Sequence, residues 1–176
     1  RPGIHELREV SGLRPGADLT TTDIAFKLAP RINAGGRLAE ATLPVSLLTS
    51  GNLTESRELA QQLDQLNQER RKIERDITQE AEDQVERLES DSLGIVTHGD
   101  NWHHGVVGIV AGKLSRSHGK PMIVLGGSGD SLKGSGRGVT GIDLVAILAL
   151  CSDLLETWGG HPAAVGLSLD RKNLDA

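Results

Sequence analysis

From Thr54 to about Glu89 the chain contains neither Gly nor Pro, and apolar residues recur at Leu59, Leu63, Leu66, Ile73, Ile77, Val85 and Leu88. Those intervals are turns of an α-helix, not the alternation of a strand. Asn52 and Glu55 supply a capping-box-like start. At 1.5 Å per residue the helix would be roughly 50 Å long. That exceeds the width of a small domain, so the segment reads as a spacer, a connector or a coiled coil. The apolar stripe is narrow and most other positions are charged, which implies one buried seam and a solvated remainder. Arg70, Arg71, Lys72 and Arg75 alternate with Glu69, Glu74 and Asp76, an ion-paired surface pattern. Residues 54–92 hold 12 acidic and 6 basic side chains, whereas the rest of the chain holds 12 and 13. The net charge of −5 therefore belongs to this segment and does not exclude a phosphate site elsewhere.

The flanks differ in texture. The first fifty residues suggest a short helix near Glu6–Val10, turns at Gly12, Pro15 and Gly16, and a helix from Ala41 to Leu48 ending at Ser50-Gly51. Beyond Ser90 the pattern predicts strands at Leu93–His98, Pro121–Leu125, Ser131–Arg137 and Ala164–Leu169. Helices are predicted at His104–Ser117, whose valines would also suit a strand, and at Asp143–Leu155. The fold class is α/β: a long connecting α-helix followed by a small mixed β-sheet with helices packed on it. Three regions follow, residues 1–50, 51–91 and 92–176. No apolar run reaches the ~18 residues of a membrane span. The single Cys151 lies among leucines as a core thiol, and the absence of cysteine pairs fits the cytoplasm. The chain starts at Arg1 and its one methionine is Met122, as expected of a piece of something longer.

Three blocks could carry chemistry. Trp158-Gly159-Gly160-His161-Pro162 reads as a turn in which two residues without Cβ allow a ligand close, followed by an imidazole able to donate to phosphate or move a proton. Lys133-Gly134-Ser135-Gly136-Arg137-Gly138 places backbone N–H groups, the point charge of Lys133, the hydroxyl of Ser135 and the guanidinium of Arg137 near a helix start, a pattern suited to anions but not a Walker A loop. A flexible hairpin is the alternative. Arg31, Asn33 and Arg37 surround Ala34-Gly35-Gly36 in a block that is neither clear helix nor clear strand. They could clamp a sugar–phosphate backbone or pin an interdomain contact through carboxylates. His98, Asp100, His103 and His104 have ligand chemistry but no second cluster to complete a two-metal site, and no metal site is assigned. With Phe26, Trp102 and Trp158 as the only aromatic residues besides histidine, a base-stacking platform is not available.

Taken together, Ala29–Arg37, Leu63–Arg71, Trp102–Leu114, Lys133–Arg137 with Gly141, and Trp158–Gly166 resemble the RecJ family of the DHH phosphoesterase superfamily in order and spacing. The resemblance implies that residues 1–50 are the C-terminal tail of a DHH-type domain, 51–91 a connecting helix and 92–176 a DHHA1-type substrate-binding domain. It implies a single-strand-specific 5′-to-3′ DNA exonuclease as the parent, acting in DNA repair and recombination with Mn²⁺ or Mg²⁺. The metal ligands would lie outside this chain, since no Asp-His-His occurs in it, and the chain alone would hold no metal and be inactive. Arg31, Asn33, Arg37, Ser135, Arg137, Gly159, Gly160 and His161 would contact single-stranded DNA, with His161 assisting catalysis. Gly35, Gly138 and Val165 depart from the family pattern. Alternatives are a related phosphodiesterase acting on short oligonucleotides or cyclic dinucleotides, or a protein-interaction module docking a partner through the long helix.

Overall fold

A computed structural model describes residues 1–14, 16–88 and 92–175. The chain divides into two compact units, Arg1–Lys72 and Ile73–Ala176.

The first unit is helical. Its elements are α1 (Pro2–Val10), a single turn α2 (Thr21–Asp23), a π-helical turn (Ile24–Leu28), α3 (Ala29–Leu38), α4 (Thr42–Thr49) and the first part of α5 (Leu53–Val85). Asn52 starts α5 as its composition requires: Oδ1 accepts from the N–H groups of Thr54 (2.9 Å) and Glu55 (3.2 Å). The reciprocal half of the capping box differs from expectation. Ser50 Oγ, not the Glu55 carboxylate, accepts from the Asn52 N–H at 3.1 Å, and Ser50 itself donates to Glu55. The preceding helix α4 ends on an extended Ser50, without the left-handed cap expected of Gly51.

The seam of α5 is used inside the unit. Ala60 and Leu63 are fully buried with Leu7, Leu28 and Leu47, and Leu59 and Leu66 flank them. The block around Arg31 is a helix despite Pro30 and two glycines. Pro30 stands at the helix start, where no N–H is required. Gly35 lets Pro44 and Leu63 pack directly on the α3 backbone; a Cβ there would lie 2.8 Å from Pro44 Cδ and 3.0 Å from Leu63 Cδ2.

The second unit is the α/β domain. Its sheet order is β1-β2-β3-β5-β4, with β1 (Ile95–Asp100) parallel to β2 (Met122–Gly127) and the remaining pairs antiparallel. The strands β3 (Ser131–Arg137), β4 (Leu155–His161) and β5 (Ala164–Asp170) form the antiparallel part. One face carries α6 (His104–His118), the crossover between the parallel strands. Val106, Val107, Val110, Ala111 and Leu114 are its buried positions, so helical spacing prevails over the strand preference of valine. The His103 ring accepts from the Gly105 N–H at 3.1 Å to start α6, and Gly119 ends it at φ +64°.

The other face carries α7 (Leu144–Leu150), started by Asp143 Oδ1, which accepts from Val145 and Ala146 N–H. Leu144 and Leu148 join Leu125, Leu132, Val165, Leu167 and Leu169 in one core. The second part of α5 joins this unit through Ile77 and Ala81 and through polar contacts at its end. Gln84 donates to the His98 carbonyl at 2.6 Å and accepts from its N–H at 3.0 Å, completing the outer edge of β1. Trp102 donates to Glu80 at 2.7 Å. The expected helix end near Glu89 and the turn at Pro15 lie outside the described residues.

Two expectations need correction. The helix foreseen from Asp143 to Leu155 stops at Leu150, and a 3₁₀ turn (Ser152–Leu154) leads into β4. Apolar spacing misled because Leu155 packs against the same core from a strand. The Gly-Gly-His segment is likewise not a turn before a strand but β4 itself, so the sheet has five strands where four were foreseen. Two adjacent glycines hide a strand from any propensity argument.

Candidate nucleic-acid interface

Lys133–Arg137 of the Gly-rich block are strand backbone, neither a phosphate-cradling loop nor a flexible hairpin. Its alternation separates two roles. Gly134 and Gly136 face the α7 core, where a Cβ would lie 2.4 Å from Leu125 Cδ2 and 2.6 Å from Val165 Cγ2 respectively. Ser135 and Arg137 face α6. The helix presents Gly108 and Gly112 to them: a Cβ on Gly108 would lie 3.1 Å from Ser135 Oγ and 3.2 Å from Arg137 Nη2. Ser135 Oγ donates to the Val165 carbonyl at 3.1 Å and accepts from Arg137 Nη1 at 2.7 Å, which fixes the guanidinium along the sheet.

Strand register extends this face. Residues directly opposite one another share a face. Arg137 pairs with Ala164, and Ala164 with His161; Ser135 pairs with Gly166, and Gly166 with Gly159. The structure thus brings Ser135, Arg137, Gly159 and His161 into two adjacent rows on the α6 side. Between the Arg137 and His161 columns, the floor is Ala164 and Gly166. The tip of the β4–β5 hairpin is clasped: the Leu144 N–H donates to the Pro162 carbonyl at 3.0 Å and the Gly138 N–H to the Ala163 carbonyl at 2.9 Å.

The glycines here are not equivalent. Gly160 is required by the fold, with φ +143° and the Ala164 carbonyl 2.3 Å from where a Cβ would stand. Gly159 and Gly166 have ordinary φ, and no heavy atom lies within 4 Å of the place a Cβ would take. Neither backbone conformation nor internal packing asks for glycine at these two paired positions. A strand glycine left over by both explanations marks a place where something outside the chain approaches the backbone.

Arg116 is a residue that sequence reasoning missed. Its guanidinium folds back along α6, and Arg116 Nη1 and Arg137 Cγ lie 3.4 and 3.7 Å from the same point above Gly112. Arg116 is exposed and makes no hydrogen bond or ion pair among the described residues. The i, i+4 spacing of Gly112 and Arg116 on a helix was the available signal, and it becomes meaningful only once β3 is placed beneath it. The His161 imidazole is exposed and has no side-chain partner among the described residues. Two guanidiniums, an imidazole and a bare backbone floor offer anion binding at close range.

The other residues foreseen for this role lie in the first unit. Arg31 is committed to structure: it donates to Asp64 Oδ1 at 2.8 Å, to the Lys27 carbonyl at 2.7 Å and to the Val10 carbonyl at 3.3 Å. Arg31 thus meets a carboxylate, but that of Asp64 within the same unit and not an interdomain one. Asn33 and Arg37 are exposed on α3. Among the described residues no three His, Cys, Asp or Glu side chains are placed to hold a metal ion. Asp100 accepts from Arg171 at 2.6 Å, and the rings of His103 and His104 stack with centroids 4.9 Å apart. Among the described residues no helix is long and apolar enough to cross a membrane.

Residues 91–176, which hold the five-stranded mixed sheet, the glycine-edged helix over β3 and the Gly-Gly-His edge strand, match the DHHA1 domain family. The whole chain is RecJ-like: it is 41% identical to the single-stranded-DNA-specific exonuclease RecJ of Salmonella typhimurium, over 99% of this chain and 32% of that protein. It is also 41% identical to the exonuclease of the same name from Bacillus subtilis, over 99% of this chain and 22% of that one. The crystal structure of RecJ from Thermus thermophilus in complex with Mg²⁺ superposes with a TM-score of 0.85 at 30% identity, covering 97% of this chain and 26% of that one. The same protein has been crystallised with Mn²⁺. The chain spans a third or less of the length of these curated relatives.

Proposed function

We propose that this chain is the nucleic-acid-binding part of a RecJ-like single-strand-specific 5′-to-3′ DNA exonuclease, and that the α6 side of its sheet holds the phosphate backbone. Residues 1–50 are then the tail of a DHH-type domain, 51–91 the connecting helix and 92–176 the substrate-binding domain. The observation that carries the reading is the pair Gly159–Gly166, open above and flanked by Arg137 and His161. Arg137 and Arg116 supply charge, Ser135 orients Arg137, and the backbone of Gly159 and Gly160 lets a phosphate come close. His161 assists by stabilising charge on the scissile phosphate. Arg37 and Asn33 guide the strand from α3, and Arg31 positions that helix through Asp64. The parent uses Mn²⁺ or Mg²⁺ to activate water, with ligands outside this chain. A protein partner on the long helix is not favoured, because Leu59, Leu63 and Leu66 of its seam already pack into the first unit.

Arg137→Ala should weaken binding of oligo-dT by the 176-residue chain about tenfold or more, the worth of one charge-assisted contact. It should also reduce the slope of log K against log salt by ~0.7, one phosphate. Unchanged affinity and slope would remove Arg137 from the interface. With Mn²⁺ added, the chain alone should cleave no single strand; metal-dependent cleavage would contradict the division of labour.

A further inference from the structure

The rows that define the interface continue along the sheet. One step beyond Ser135–Gly166–Gly159, Lys133 pairs with Ser168, and Ser168 with Thr157. These residues share the α6 face by the same alternation. Lys133 is exposed and makes no hydrogen bond or ion pair among the described residues. Thr157 is exposed, and its hydroxyl lies 2.7 Å from the hydroxyl of the buried Ser168, which fixes its orientation. Successive rows on one face are separated by two residues, roughly 6.8 Å at 3.4 Å per residue. That is comparable to the phosphate-to-phosphate step of an extended single strand.

One row further, the chemistry reverses. Ser131 pairs with Asp170, and Ser131 Oγ donates to Glu156 at 2.9 Å. Asp170 is ion-paired with Lys172 at 2.7 Å, which leaves the exposed Glu156, bonded to the Ser131 hydroxyl, as the carboxylate this end of the sheet presents. A phosphate that is welcome beside Arg137 and Lys133 is repelled at Glu156.

Resting on the proposed phosphate-binding role, we propose that single-stranded nucleic acid runs lengthwise over β5, with a second phosphate subsite at Lys133 and Thr157 and an acidic stop at Glu156. The track holds three rows: Arg137 with His161, then the bare Gly159–Gly166 row, then Lys133 with Thr157. In the middle row the Ser135 hydroxyl is already bonded to the Val165 carbonyl and to Arg137, so the two gripping rows act on phosphates two steps apart. An oligomer too short to reach both rows gains nothing from Lys133.

The test compares 5′-phosphorylated dT₂ and dT₄ on the full 176-residue chain at low salt, with Lys133→Ala, Thr157→Val and Arg137→Ala. Lys133→Ala should weaken dT₄ about three- to fivefold, as expected of one exposed ion contact. It should leave dT₂ unchanged and lower the salt slope for dT₄ by ~0.7. Thr157→Val should follow the same length pattern more weakly. Arg137→Ala should weaken both oligomers. Loss of affinity in Arg137→Ala with no change in Lys133→Ala would overturn the track and leave the interface standing. Equal weakening of dT₂ and dT₄ by Lys133→Ala would show a general field and not a subsite, again overturning the track. No effect from any variant would overturn the interface itself.

Discussion

Gly166→Val separates binding from folding more cleanly than removal of a charge. The Cβ position of Gly166 has no heavy atom within 4 Å, and its φ is ordinary. The Cβ of valine there meets no neighbour, and the residue restricts the unfolded chain and favours the strand, each effect worth up to ~1 kcal/mol. The second unit should therefore keep or gain stability, by at most about 4–8 °C in melting temperature per kcal/mol for a domain of this size. The isopropyl group would stand between Ser135 and Gly159, one row from Arg137 and His161, on the floor where the phosphate backbone is proposed to lie. Binding of oligo-dT should fall at least tenfold, a loss of ~1.4 kcal/mol or more.

Gly134→Ala is the contrasting control. Its Cβ would lie 2.4 Å from Leu125 Cδ2 and 2.7 Å from the Val124 carbonyl. Overpacking of that kind costs about 1–3 kcal/mol. Thermal melts and fluorescence anisotropy on the same preparations decide the matter. A Gly166→Val chain that melts normally and still binds oligo-dT at full strength would refute the argument that the open glycines exist for a ligand.

Two further outcomes follow from contacts away from the interface. Gln84→Ala should expose the backbone of His98 on edge strand β1, costing about 1–2 kcal/mol and accelerating hydrogen exchange of the His98 amide; unchanged exchange would mean that Gln84 does not close that edge. Asp23 is depressed from 3.8 to about 2, first by the Lys27 side chain and then by Thr20, so its help in starting α2 is complete above pH 3.8 and is lost as the pH falls toward 2. The Thr20 and Asp23 amide signals should shift over that window, and a titration centred at 3.8 would contradict the bonded carboxylate.

The long helix was legible because its signal is one period over many residues with nothing to break it. The α/β class was legible for a similar reason: strands such as Ser131–Arg137 and helices such as α6 each carried their own pattern. What escaped were elements whose glycines serve tertiary contacts. The α3 block looked irregular because Gly35 and Gly36 depress helix propensity, yet Gly35 is where Pro44 and Leu63 pack. Strand β4 was hidden by Gly159 and Gly160, and its place in the sheet depends on pairing with β5. The phosphate chemistry of Ser135, Arg137 and His161 was suggested by residue type. Their alignment across Ala164 and Gly166 belongs to register, which one-dimensional patterns do not contain. Arg116 needed that register before it could be distinguished from other surface cations.

The most direct test of the central claim is an amide chemical-shift map of the 176-residue chain titrated with oligo-dT. The account predicts that the largest changes in the second unit fall on Ser135, Arg137, Gly159, Gly160, His161 and Gly166, and that they diminish as salt is raised. Changes confined to the α7 face of the sheet, or insensitive to salt, would contradict it.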